Sequence, residues 1–119
     1  MKRLVLLAVI SLGACSKRSE EPARRQPAAQ LAPLPAVEVQ RGKDACGAYV
    51  AKVCACSSEE AKKACSLAKA LPQALEIALE TSLNPSTDKD NAMRAQVNVR
   101  ETAKECIEQA AKLPALGCN

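Results

Sequence analysis

Six of the seven cysteines in this 119-residue chain lie between residues 46 and 118, in a stretch with few other large side chains to bury. The chain has one aromatic residue, Tyr49, and no Phe, Trp or His. A domain of about 75 residues with so thin a core is near the limit of folding without cross-links. The six cysteines are Cys46, Cys54, Cys56, Cys65, Cys106 and Cys118. An even number of cysteines in so small a domain predicts disulfides if the chain is exported.

The first 14 residues have the pattern of a secretory signal peptide. Lys2 and Arg3 precede an apolar run over residues 4–13, and small residues end it. At 1.5 Å per residue the run covers about 15 Å, half of a ~30 Å hydrocarbon core, so it is too short to span a membrane as a mature helix. We therefore expect residues 1–14 to be removed on export.

The apolar run ends in Leu12-Gly13-Ala14-Cys15. This sequence resembles the lipobox of bacterial lipoproteins, and the resemblance covers residues 1–15. It implies cleavage before Cys15, a diacylglyceryl group on the sulfur of Cys15, and frequent acylation of the new amine. Because Asp at the next position favours the inner membrane in enteric bacteria, Ser16 implies the outer membrane, facing the periplasm. The alternative is an ordinary cleaved signal peptide followed by an unrelated cysteine.

Residues 15–43 are predicted to form a disordered tether. Prolines recur in this segment, charges of both signs are mixed, and neither a helical nor a strand period is present. Proline-rich chain extends by ~3.1 Å per residue, so residues 16–42 reach about 80 Å at most. Its basic residues near the lipid fit a solvated spacer, which we favour, or contact with anionic headgroups. These residues are Lys17, Arg18, Arg24 and Arg25.

Residues 44–119 are predicted to form an all-α domain, a small three-helix antiparallel bundle cross-linked by disulfides. Asp44 is the expected cap of the first helix, and the capping box over residues 57–60 starts the second. Because Pro72 interrupts its hydrogen bonds, the second helix is expected to kink or restart near Leu71. A break over residues 84–88 precedes the third helix. An alternative is one long helix through Ser57. The residues expected to face the core are Cys46, Tyr49, Val50 and Val53, then Ala61, Ala64, Ala68, Leu71, Leu75, Ala78, Leu79, Ser82 and Leu83, and finally Ala92, Ala95 or Gln96, Val99, Ala103, Cys106, Ala110 and Leu113.

Helix geometry limits the disulfide pairing. Cys46 lies about 12 Å along a helix from Cys54 and about 15 Å from Cys56, whereas a disulfide needs Cα atoms within roughly 7 Å of each other. Cys54 and Cys56 point to nearly opposite sides of a helix. These three cysteines must therefore pair with the other three, one each. The depth of each cysteine, which is its distance along the helix axis from the turn near Ser57, indicates which cysteines lie level with one another. It favours the set Cys46–Cys65, Cys54–Cys106 and Cys56–Cys118.

The basic charge of the chain lies mostly outside the predicted domain. The net charge is +4, yet residues 44–119 hold nine Lys or Arg against ten Asp or Glu. A nucleic-acid binder carries its basic patch on the folded domain. We therefore expect no nucleic-acid partner.

Catalysis is not expected either. Without histidine, the usual general base near neutral pH and the commonest metal ligand are both missing. Each carboxylate pair lies at a helix start or beside Lys and Arg, where the helix dipole and ion pairing explain it. The pairs are Glu59/Glu60, Asp88/Asp90 and Glu101/Glu105.

These patterns predict a membrane-anchored envelope lipoprotein that has no cofactor and acts as a structural or protein-interaction module. Its partners are expected to be the membrane, through the lipid, and an envelope protein. The alternative is a periplasmic metal-binding or thiol protein in which Cys54 and Cys56 hold a soft ion such as Cu(I). Tyr49 is expected in the core; if exposed, it is a candidate binding anchor.

Overall fold

The computed structural model describes residues 31–118, and this part of the chain is helical, with no β-strand. The α-helices are α1 Ala36–Ala55, α2 Glu59–Ala68, α3 Ala70–Leu83 and α4 Lys89–Ala111. A 3₁₀ helix, Leu113–Leu116, follows α4. The predicted all-α class is confirmed. The predicted signal peptide and residues 15–30 of the predicted tether lie outside the described residues.

The helix α1 begins at Ala36, so the predicted domain boundary between residues 43 and 44 is wrong. Pro35 occupies the N-cap position, where a missing N–H removes no helical hydrogen bond. The Pro35 carbonyl accepts hydrogen bonds from the N–H groups of Glu38 (2.9 Å) and Val39 (3.1 Å). The first turns were missed because their most buried residue is Gly42, which does not read as apolar in a periodicity analysis.

The capping predictions are confirmed only in part. Asp44 is not a cap but lies inside α1, where its carboxylate accepts a hydrogen bond from the Gln40 side chain at 2.8 Å. The cap of α2 is Ser58 rather than Ser57, and its Oγ accepts from the Ala61 N–H at 3.2 Å. Because α1 ends before this cap, α1 and α2 are separate helices and not one long helix.

Of the kink or restart predicted near Leu71, the structure has the restart, at Lys69, which separates α2 from α3. Pro72 is the third residue of α3. At that position its missing N–H removes no hydrogen bond within the helix. The helix therefore restarts before the proline.

The helices α1 and α4 run in the same direction. Near the start of α1, Glu38 forms an ion pair of 2.6 Å with Arg100. Further along α1, Cys46 is bonded to Cys106. Residue numbers increase together along the two helices, which is the pattern of parallel neighbours.

The α2–α3 segment runs against α1. Lys43 forms an ion pair of 2.8 Å with Glu76 in α3, and Cys54, further along α1, is bonded to Cys65 in α2. The end of α1 and the start of α2 therefore lie together. The 3₁₀ helix lies at the same end, because Ser58 is hydrogen-bonded to the Leu116 carbonyl. We call this the upper end of the domain.

Two clusters of buried side chains form the core. The lower cluster consists of Cys46, Leu75, Ala78, Leu79, Val99 and Cys106. The upper cluster consists of Tyr49, Val53, Ala61, Ala68 and Leu113. All of these residues were predicted to face the core. Leu83 was also predicted there but is 64% exposed, because it is the last residue of α3 and lies one step around the helix from buried Ser82.

Gly42 allows α1 and α4 to approach closely. A Cβ atom at this position would lie 3.0 Å from the Ala103 Cβ and 3.3 Å from the Leu75 Cδ1. We expect Gly42→Ala to lower the free energy of unfolding by about 1–3 kcal/mol, because overpacking outweighs the gain in helix propensity. Chemical denaturation followed by circular dichroism measures the change.

Gly47 provides the matched control on the same helix. No atom lies within 4 Å of a Cβ placed there, so we expect Gly47→Ala to raise the free energy of unfolding by up to about 1 kcal/mol. In the Gly42→Ala background, Ala103→Gly removes the closest atom and should cost less than the same change does in the wild type. Equal gains from alanine at positions 42 and 47 would contradict the close approach.

Candidate functional site

The six cysteines of the helical domain form three disulfides. The bonds are Cys46–Cys106, Cys54–Cys65 and Cys56–Cys118, with Cα–Cα distances of 4.9, 4.8 and 5.6 Å. No two of the first three cysteines are joined to each other, as the helix spacing predicted. Each of the three crosses to a different element of the domain.

Of the three predicted pairs, only Cys56–Cys118 is present, and the other two predicted pairs are wrong. The depth argument assumed a tight turn near residue 57. Instead, Cys56 and Ser58 are extended, with ψ of 140° and 150°, and extended residues advance by ~3.3 Å rather than 1.5 Å. The connection carries the start of α2 beyond the end of α1, so Cys65 comes level with Cys54.

The three bonds differ in their access to solvent. Cys46 and Cys106 are both 0% exposed and belong to the lower cluster. The other four cysteines are half-buried and pack against the upper cluster; they are Cys54, Cys56, Cys65 and Cys118. One disulfide is therefore enclosed in the core, and the other two border the surface at the upper end.

The segment formed by residues 113–118, which we call the covering segment, packs over the upper end. Its first residue, Leu113, is 5% exposed and belongs to the upper cluster. The Ser58 Oγ donates a hydrogen bond of 2.6 Å to the Leu116 carbonyl. Gly117 has a φ of 77°, a left-handed conformation that glycine adopts without steric cost, and this brings the chain back towards α1.

Tyr49 is 4% exposed, so its predicted place in the core is confirmed. Burial raises the pKa of its phenol above 10.0, and the negative charge of Glu105 adds to this effect. With a raised folded-state pKa, the stability contributed by the neutral phenol is fully present below about pH 10 and is lost as the pH rises through the folded-state pKa.

Titration of this phenol tests the burial. Tyr49 is the only aromatic residue of the chain, so the near-ultraviolet absorbance of the phenolate reports it alone. We expect a midpoint above 10.0 in the folded protein and near 10 in denaturant. Glu105→Gln should lower the folded midpoint yet leave it raised, because burial is the larger cause. Equal midpoints in the folded and denatured protein would contradict the burial.

Cys54 and Cys56, the pair considered for a soft metal ion, are bonded to different partners. A cysteine binds a metal as its thiolate, and neither sulfur is a thiolate while its disulfide is intact. Across residues 31–118, no group of three or more His, Cys, Asp or Glu side chains is placed to hold a metal ion.

The carboxylate pairs have mostly local structural roles. Glu59 forms an ion pair of 2.8 Å with a lysine three residues later. Asp88 caps α4, with its carboxylate accepting hydrogen bonds from the N–H (3.1 Å) and the side-chain amide (2.7 Å) of Asn91. Glu101 and Glu105 are exposed and line an open groove of about 920 Å³ between α3 and α4.

Exposed apolar side chains are the surface feature that sequence reasoning missed. In the described part of the chain they are Val37, Leu67, Ile77, Leu83, Met93, Val97 and Ile107. A periodicity analysis looks for the buried face and passes over apolar residues off that face. Most of them are identifiable in the sequence as apolar residues that lie outside the set predicted to face the core.

Cys15, the predicted lipid attachment site, lies outside the described residues. None of the helices within residues 31–118 is long and apolar enough to cross a membrane.

Comparisons of the chain with protein-family models, with curated proteins and with solved structures found no match.

Proposed function

We propose that this chain is a lipoprotein of the bacterial cell envelope, attached through Cys15 to the outer membrane and facing the periplasm. The observation that carries the proposal is the sequence Leu12-Gly13-Ala14-Cys15 at the end of an apolar run. The disulfides of the helical domain support it, because disulfides form and persist in exported proteins. Two or more acyl chains make such an attachment stable rather than marginal.

In this proposal the folded part is a three-helix antiparallel bundle, with α2 and α3 together as its second helix. The parallel α1 and α4 and the opposed α2–α3 segment support this arrangement. The lipid-bearing segment enters the bundle at the start of α1, so the upper end lies at the opposite end of the bundle. The chain between Cys15 and Ala36 spans about 60 Å when extended, which lets the domain work away from the membrane surface.

The role we propose for the bundle is non-catalytic contact with another envelope protein. The features that support it are a nearly neutral domain charge, which does not attract nucleic acid, and the structural roles of Glu59 in an ion pair and of Asp88 as a helix cap. The Cu(I) alternative needs Cys54 and Cys56 as thiolates, and both are in disulfides. We therefore do not propose metal binding for the oxidised domain.

Mass spectrometry of the native protein tests the attachment. The protein is extracted with detergent from the cells that make it, and its N-terminal peptide is analysed. We expect this peptide to begin at Cys15 and to carry the mass of a diacylglyceryl group, with or without an acylated amine. An intact Met1, or a peptide that begins at Cys15 without acyl mass, would overturn the proposal.

Cross-linking in intact cells tests the interaction role separately. A photoreactive residue is introduced at one exposed position at a time, using Leu67, Ile77, Met93 and Ile107, which lie on α2, α3 and α4. We expect an adduct of one defined mass at some positions and none at others, as a specific interface requires. Adducts at no position, or the same smear at every position, would contradict a specific partner even if the lipid is present.

A further inference from the structure

The Cys56–Cys118 disulfide ties the covering segment to the connection between α1 and α2. Both cysteines are half-buried and lie at the upper end. Apart from this bond, the covering segment is held by the buried Leu113 side chain, by the half-buried Leu116 side chain against the upper cluster, and by the hydrogen bond from Ser58 to the Leu116 carbonyl. An accessible covalent bond therefore adds to a small number of non-covalent contacts.

We propose that Cys56–Cys118 is a thiol–disulfide exchange site, where an external dithiol releases the covering segment and uncovers the upper cluster. The enclosed Cys46–Cys106 bond keeps α1 and α4 joined during this change. The inference concerns the helical domain alone and does not depend on the lipid attachment.

The dithiol is the reductant in this exchange. Its thiolate attacks one sulfur of the Cys56–Cys118 bond, a new S–S bond forms, and the other cysteine leaves as a thiolate. The second thiol of the reagent then attacks the mixed disulfide and displaces the remaining cysteine. The dithiol becomes a disulfide, and the protein pair has gained two electrons and, once protonated, two protons.

The Cys54–Cys65 bond has similar access but a different fate after exchange. Its cysteines lie on α1 and α2, which pack directly against each other in the upper cluster. The two sulfurs stay close after reduction, so their effective concentration remains high and the bond re-forms. The sulfur of Cys118 lies on a short segment with few other contacts and moves away. Cys56–Cys118 is therefore the bond that stays open.

Release of the covering segment removes Leu113 from the upper cluster. The side chains that share the cluster include Tyr49 and Val53, which are 4% and 0% exposed while the segment is in place. Opening this end therefore exposes apolar side chains that the oxidised domain encloses. The state of one disulfide decides whether these side chains are exposed.

Graded reduction of the purified oxidised full-length chain tests the order of opening. Samples are treated with increasing dithiothreitol at constant pH, alkylated, and mapped by peptide mass. We expect Cys56 and Cys118 to be alkylated at the lowest dithiothreitol concentration, and Cys54 and Cys65 at a higher one. At any one concentration, reduction of Cys46–Cys106 should be at least about tenfold slower than that of Cys56–Cys118, because a bond enclosed in the core is reached only when the domain opens. Reduction of Cys46–Cys106 or of Cys54–Cys65 before Cys56–Cys118, or of all three together, would overturn the proposal.

A variant that mimics the open state tests what is uncovered. In Cys56→Ala/Cys118→Ala, we expect acrylamide to quench the fluorescence of Tyr49 at least twofold more strongly, with helical circular dichroism largely retained. The control is Cys54→Ala/Cys65→Ala, which should change the quenching less. Unchanged quenching in the first variant would show that nothing is uncovered. If the first variant loses its helical signal, the order of alkylation in the wild type decides the matter.

Discussion

Replacing Cys46 and Cys106 together with alanine is expected to lower the free energy of unfolding by about 4 kcal/mol through the lost cross-link. The bond closes a loop with a sequence separation of 60 residues, so without it the unfolded chain gains much conformational freedom. Small domains are stable by ~5–15 kcal/mol in total, and a thin core places this one near the lower end. Guanidinium denaturation of the oxidised variant, followed by circular dichroism, measures the loss.

The Cys54–Cys65 pair provides the matched control for this prediction. Its sequence separation is only 11 residues, so the chain-entropy estimate for Cys54→Ala/Cys65→Ala is about 3 kcal/mol. Unlike that pair, Cys46 and Cys106 also fill space in the lower cluster, and alanine at both positions leaves a gap there. A larger loss from the short-loop pair than from the long-loop pair would contradict the assigned roles.

Residue pattern alone was enough to predict the helical class and most of the core. The buried faces of α1, α3 and α4 carry apolar residues at three- and four-residue intervals, and such spacing is visible without a structure. The rule that Cys46, Cys54 and Cys56 cannot pair among themselves also follows from the rise of a helix. Both inferences depend only on distances within a single helix, which a sequence determines well.

The positions of the helices relative to one another could not be predicted from spacing within each helix. The choice between Cys65 and Cys106 as the partner of Cys46 depends on how far the extended residues at Cys56 and Ser58 raise the start of α2. The most buried residue in the first turns of α1 is Gly42, which packs closely against α4 because it has no side chain. The exposed apolar residues were not predicted, because apolar periodicity identifies the buried face of a helix and gives no information about its exposed faces.

Replacing Cys15 with alanine is expected to abolish lipid attachment and with it the stable membrane association of the mature chain. Each acyl chain contributes ~0.8 kcal/mol per buried CH₂, a single 14-carbon chain binds only marginally, and two make attachment stable. Labelled fatty acid supplied to the cells should therefore be found in the wild-type protein and be absent from Cys15→Ala, which should also be absent from the outer-membrane fraction. The control is Cys56→Ala/Cys118→Ala, which removes two other cysteines and should keep the label. Label retained in Cys15→Ala would place the lipid elsewhere and contradict the proposed attachment.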